Sequence, residues 1–134
     1  MSSAEAEVLA ANRSFYEAFA RGDLMVIEAL WAQHVPVACI HPGWAALHGR
    51  DQVLASFRSI LGGGSGAGVR CTRPSASVLG EIAYVVCGET IQGAELVATN
   101  LFVLEGGEWK LVHHQAGPVH RRAELRSPPT GMLN

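Results

Sequence analysis

The chain changes its hydrophobic period once, about halfway along, and that single change restricts it to very few folds. Up to about Leu61 the apolar residues recur at helical spacing. From Val69 onward they alternate in four β-rich segments, near Val69–Leu79, Ile82–Ile91, Glu95–Leu104 and Glu108–Ala116. The links between those segments are Gly80-Glu81, Gln92-Gly93-Ala94 and Gly106-Gly107. Turns this short join antiparallel neighbours, because a parallel return needs a crossover of a dozen residues. Helices followed by a curled antiparallel sheet predict an α+β domain with the helices gathered on one face.

The helical half is punctuated by local signals. Ser2 with Glu5 reads as a capping box ahead of Val8, Leu9, Asn12, Phe15, Tyr16 and Phe19. Gly22 stops that helix and Asp23 caps a second, where Leu24, Ile27, Leu30 and Trp31 share a face. A short strand, Val35 to Ile40, leads into His41-Pro-Gly-Trp44. A third helix runs from about Arg50 to Leu61. Gly62-Gly-Gly-Ser-Gly-Ala-Gly68 follows a helix and precedes a strand, the reverse of a phosphate loop, and no Lys-Ser/Thr follows it; it reads as a linker.

Composition excludes several classes. With 134 residues the chain is one domain, predicted over 1–118, with a loosely ordered polar tail over 119–134. Apolar residues make up 49% and charged residues 16%, which argues against disorder. A net charge of −2 leaves no electrostatic footprint for nucleic acid. No apolar run reaches the roughly 18 residues of a membrane span, and the acidic N-terminus lacks signal-peptide order. Cys39, Cys71 and Cys87 are odd in number and form no Cys-x-x-Cys, so they are expected as reduced, buried thiols in a cytoplasmic protein.

Two segments put polar groups among aromatics in apolar surroundings, which suggests a lined pocket. They are Cys39-Ile-His-Pro-Gly-Trp44, and Thr99-Asn-Leu-Phe-Val103 with Trp109-Lys-Leu-Val-His-His-Gln-Ala-Gly-Pro118. Strict alternation groups Trp109, Leu111, His113 and Gln115 on one face of the last strand and places His114 on the other. Both faces of the last two strands are apolar. Leu101, Val103 and Val112 would be left in water unless a second subunit covers them, which predicts a homodimer joined sheet to sheet.

These segments and the order of elements over about residues 4–118 resemble the SnoaL-like branch of the nuclear transport factor 2-like superfamily. They also resemble the association domain of calcium/calmodulin-dependent protein kinase II. The resemblance implies a cone-shaped, cystatin-like roll, with three N-terminal helices on the sheet, a cavity at its wide end, and sheet-mediated dimers. Against the ketosteroid isomerases of this superfamily, His41 falls at the general base, Phe15 at the oxyanion Tyr (with Tyr16 adjacent) and Asn100 at the protonated Asp.

Three functions follow as expectations. The first is binding of a small molecule, with Phe15, Tyr16, Trp44, His113 and Gln115 lining the site. The second is a lyase or isomerase in which His41 abstracts a proton and Asn100 holds a carbonyl or hydroxyl. The third is an oligomerisation module. No cofactor is expected, and no metal, because adjacent His113 and His114 point to opposite faces and no carboxylate or thiolate completes a site.

Overall fold

Ser2 starts the first helix. Its hydroxyl accepts the Glu5 N–H at 3.0 Å and the Glu5 carboxylate accepts the Ser2 N–H at 2.8 Å, which completes the capping box. Helix α1, Ser3–Arg21, ends at Gly22 in the left-handed region (φ 73°), and buries Val8, Asn12, Phe15, Tyr16 and Ala18. Asp23 accepts the Val26 N–H at 3.3 Å and caps α2, Leu24–Leu30. The Arg50 guanidinium donates to the carbonyls of Glu28, Trp31 and Ala32, satisfying acceptors that the end of α2 leaves open.

The remaining elements are β1 (Ala38–Ile40), β2 (Leu47–His48), α3 (Arg50–Gly62), β3 (Arg70–Leu79), β4 (Ile82–Ile91), β5 (Ala94–Glu105) and β6 (Glu108–Pro118). This computed structural model describes residues 2–64 and 66–120. Ser65 of the glycine linker and all but the first two residues of the expected tail lie outside the described residues.

The six strands form one sheet in the order β2-β1-β6-β5-β4-β3. Neighbours are antiparallel apart from β1, which pairs with β6 in parallel. Two details differ from the sequence reading. Strand β1 begins at Ala38 rather than Val35, because Pro36 has no N–H to give a ladder. The two-residue strand β2 was not anticipated; it folds back on β1 with Leu47 opposite Cys39.

A third difference alters the site. The β5–β6 register steps from Leu101↔His113 to Phe102↔Leu111, so Val112 is an extra residue without a partner. This β-bulge reverses the in–out alternation of everything beyond it. Trp109 and Leu111 face the core, as alternation predicts, but after the bulge the buried residues are His114 and Ala116.

Phe15, Ile27, Trp31, Phe57, Phe102 and Leu111 form the centre of the core, all without solvent exposure. Phe57 meets Phe15, Phe19 and Trp31 with ring centres 5.7–5.9 Å apart, locking α1, α2 and α3 together. On the opposite side of the sheet, Ile82, Tyr84, Val86 and Val97 are exposed, beside half-buried Leu101, Val103 and Val112.

Candidate functional site

Behind α1 the sheet carries a group of buried polar side chains. Asn12 and Tyr16 lie one turn apart on the inner face of α1, and Cys87 and Glu89 are alternate inward residues of β4. Asn100 comes from β5 and His114 from β6, directly opposite each other in the ladder. None of these six is more than 5% exposed.

The hydrogen bonds have a definite direction once donors and acceptors are counted. Asn100 Nδ2 donates to Asn12 Oδ1 at 2.8 Å and to Tyr16 Oη at 3.1 Å. Asn100 Oδ1 then accepts from His114 Nδ1–H at 2.5 Å, an assignment of amide and tautomer that the network itself requires. Asn12 Nδ2 donates to Cys71 Sγ at 3.6 Å. The Tyr16 hydroxyl donates to Glu89 Oε2 at 2.6 Å, with Cys87 Sγ 3.4 Å away. His114 Nε2 keeps a lone pair and lies 3.9 Å from Glu89 Oε2.

Burial sets the charges. It raises Glu89 above the ordinary carboxylate range, with the Tyr16 hydrogen bond pulling the other way. It raises Tyr16, with the Glu89 charge adding to the effect. It lowers His114 to about 3, helped by His41 and His113. The 3.9 Å approach of His114 to Glu89 is therefore a contact of two groups that both favour the neutral form, not a strong ion pair.

A cleft of about 470 Å³ opens between α1 and the start of β3 and reaches Asn12, Tyr16 and Cys71 at its floor. Its walls are Leu9, Ala20, Val69 and Pro74, with Arg13, Glu17 and Arg70 at the same opening. That volume falls within the range of small-molecule sites.

The residues expected to share one pocket divide into three places. Tyr16 and Asn100 are in direct contact within the cluster. Phe15 packs edge-on against Tyr16 and His114 (5.0 and 5.2 Å) and walls the cluster off from the core. His41 is buried at the end of β1 beneath half-exposed Trp44, their rings 4.9 Å apart. The Ser56 hydroxyl donates to Val53 O at 2.7 Å, so its oxygen accepts from His41 Nε2–H at 2.8 Å, and Nδ1 is the basic nitrogen. His114 stands between His41 and Asn100, with 6.2 Å between the two imidazoles. Burial lowers His41 to about 4, which makes it neutral but a weak base. Nearby Cys39 is raised to about 12 by the same burial.

His113 and Gln115 are on the outer face, and Gln115 lines a surface depression there with Val97 and Thr99. The bulge at Val112 is the reason: it exchanges His113 for His114 inside. In the sequence reading neither Glu89 nor Ser56 is marked, and Asn12 is marked only as part of a helix face and Cys87 only as a buried thiol. Glu89 had a signal, since it continues the inward alternation of Val85 and Cys87, where a carboxylate is out of place. Among the described residues no group of three or more His, Cys, Asp or Glu is arranged to hold a metal ion, and no helix is long and apolar enough to cross a membrane.

Three helices on a curved six-stranded sheet, with polar groups enclosed between them, make this an α+β cone of the cystatin-like kind. The SnoaL-like domain model matches residues 8–119, and the chain belongs to that family. A solved structure from Streptomyces avermitilis, of the nuclear transport factor 2-like family and suggested to be a dehydratase, is 34% identical. It covers 89% of this chain and 98% of its own, with a TM-score of 0.81. A candidate calcium/calmodulin-dependent protein kinase type II association domain from Thiobacillus denitrificans is 31% identical, covering 83% and 94%, with a TM-score of 0.70. The F-box protein SKIP8 of Arabidopsis thaliana is 22% identical over 111 residues, which are 81% of this chain and 48% of that protein. The chain thus spans about half the length of this curated relative.

Proposed function

We propose that this chain binds a small organic molecule in the cleft between α1 and β3, with Asn12 and Tyr16 as its polar floor. The observation that carries the reading is the buried cluster behind that floor. Glu89, His114, Tyr16 and two Asn residues are buried, and among the described residues no Lys or Arg pairs with the carboxyl. Burying them costs stability that an apolar filling of the same space would not. What the cluster supplies is direction: it fixes the Tyr16 oxygen and the Asn12 amide at the cleft.

The protein acts as a homodimer in this reading. The apolar outer face of β4, β5 and β6 supports that, since one copy leaves it in water. Lyase- or isomerase-type turnover is a second reading, favoured by one specific feature, the raised Glu89 carboxyl hydrogen-bonded to Tyr16 at the cleft floor. In that reading the Glu89–Tyr16 pair, rather than His41, carries the proton. The suggested dehydratase role of the Streptomyces avermitilis relative supports the same class of chemistry.

Native mass spectrometry of freshly purified protein, beside its denatured mass, tests the proposal. A dimer carrying a releasable adduct, lost when the floor is filled by Cys71→Trp, is expected. An adduct-free ring much larger than a dimer would overturn the binding reading in favour of an association role.

A further inference from the structure

The charges at the mouth of the cleft say what class of molecule it takes. Arg13 sits on α1 one turn from Tyr16, and Arg70 is the first residue of β3, so each of the two elements that border the cleft contributes an arginine to its lining. Both are exposed and neither is ion-paired or hydrogen-bonded among the described residues. Glu17 shares the opening and is one turn from Arg13, yet the two do not pair. Arg preceding Glu by four residues is the weaker order for a helical ion pair, which leaves Arg13 available. Two guanidiniums and one carboxylate leave a surplus of one positive charge at the rim. A guanidinium fork matches a carboxylate in shape as well as charge.

Deeper in, Leu9, Ala20, Val69 and Pro74 offer apolar walls, and the Asn12 amide lies at the floor, donating to Cys71. We infer that the ligand is an organic monoanion, a carboxylate on an apolar body, whose carboxylate is held between Arg13 and Arg70 while its body lies along the α1–β3 walls. A doubly charged phosphate would meet the Glu17 carboxylate with only one net compensating charge, so the monoanion is the better match. The inference rests on the cleft being the binding site, as proposed above.

The test uses 2-naphthylacetate and its uncharged isostere 2-naphthylacetamide, titrated calorimetrically into the full-length protein. The acid is expected to bind about tenfold more tightly than the amide, because two exposed charge contacts each contribute modestly. Arg13→Gln with Arg70→Gln should erase that preference and leave amide binding unchanged. Glu17→Gln should strengthen binding of the acid alone, by roughly two- to fivefold. All three residues are exposed, so folding is not at risk. Equal affinity for acid and amide, or weaker acid binding in Glu17→Gln, would overturn the anion assignment while leaving small-molecule binding intact. No saturable acid binding at millimolar concentration would also overturn it. The adduct seen or not seen by native mass spectrometry then decides separately whether the cleft binds anything.

Discussion

Replacing Tyr16 by Phe should destabilise the protein more at high pH than at low pH, and the structure gives the size. The hydroxyl is the hydrogen-bond donor to Glu89 (2.6 Å) and accepts from Asn100 (3.1 Å). Asn100 retains Asn12 as an acceptor when the hydroxyl is removed, so the main loss falls on Glu89. A hydrogen bond to a buried charged group is worth about 1.5–3 kcal/mol, and one to a neutral group about 0.5–1.5 kcal/mol. The penalty should therefore be about 1 kcal/mol when Glu89 is protonated and about 2–3 kcal/mol when it is ionised.

The sign follows from linkage. Glu89 is raised in the folded state, so its favourable contribution is complete below the ordinary carboxylate pKa and is lost as pH rises through its folded value. Tyr16 is what restrains that rise, and without it the loss at high pH grows. His41 and His114 are lowered, so they act oppositely, but they are present in both proteins and cancel in the difference. Urea unfolding of wild type and Tyr16→Phe at about pH 5 and about pH 8, followed by fluorescence of buried Trp31 and Trp109 at one protein concentration, measures it. A penalty that is equal at both pH values, or larger in acid, would show that the Tyr16 hydroxyl does not favour the ionised form of Glu89.

Three further outcomes are expected. Acidification from about pH 6.5 to about pH 4 should withdraw roughly 3 kcal/mol through His41 alone, so His41→Leu should flatten the acid limb of a Tm-against-pH profile; an unchanged limb would contradict the burial argument. Gly66→Ala places a Cβ 2.5 Å from the Phe19 ring and 2.8 Å from its carbonyl oxygen, and should cost about 1–3 kcal/mol. Gly62→Ala, which meets nothing within 4 Å, should be neutral or slightly stabilising in the same thermal melts. Leu101→Asp on the outer face should yield a monomer in sedimentation velocity with an unchanged circular dichroism spectrum; a persisting dimer would place the interface elsewhere.

What could be read in the sequence was what local chemistry decides. The Ser2–Glu5 capping box, the Gly22 stop, the Asp23 cap and the tight turns at Gly80, Gln92 and Gly106 act over two to four residues, and all fell within one or two residues of their expected positions. The features that were missed depend on distant parts of the chain. Nothing around Val112 marks it as a bulge, since its apolar side chain suits either face, yet that one residue decides which of two adjacent histidines is inside. The cleft exists because α1 and β3, some fifty residues apart in sequence, stand side by side, and no periodicity reports the gap between them. Asn100 and Tyr16 could be noticed as polar groups in apolar stretches. Their bridge to Glu89 could not, because it needs the β4–β5 register that sets those side chains on one face.

A molecule bound as proposed sits on the floor formed by Asn12 and Tyr16, backed by Glu89, Asn100 and His114. A crystal structure of the protein as purified, from a preparation whose native mass retains its adduct, tests that most directly. Connected density is expected in the α1–β3 cleft, within hydrogen-bond distance of Asn12 or Tyr16. Density for the adduct on the outer sheet face, or a cleft filled by side chains of the partner subunit, would contradict it.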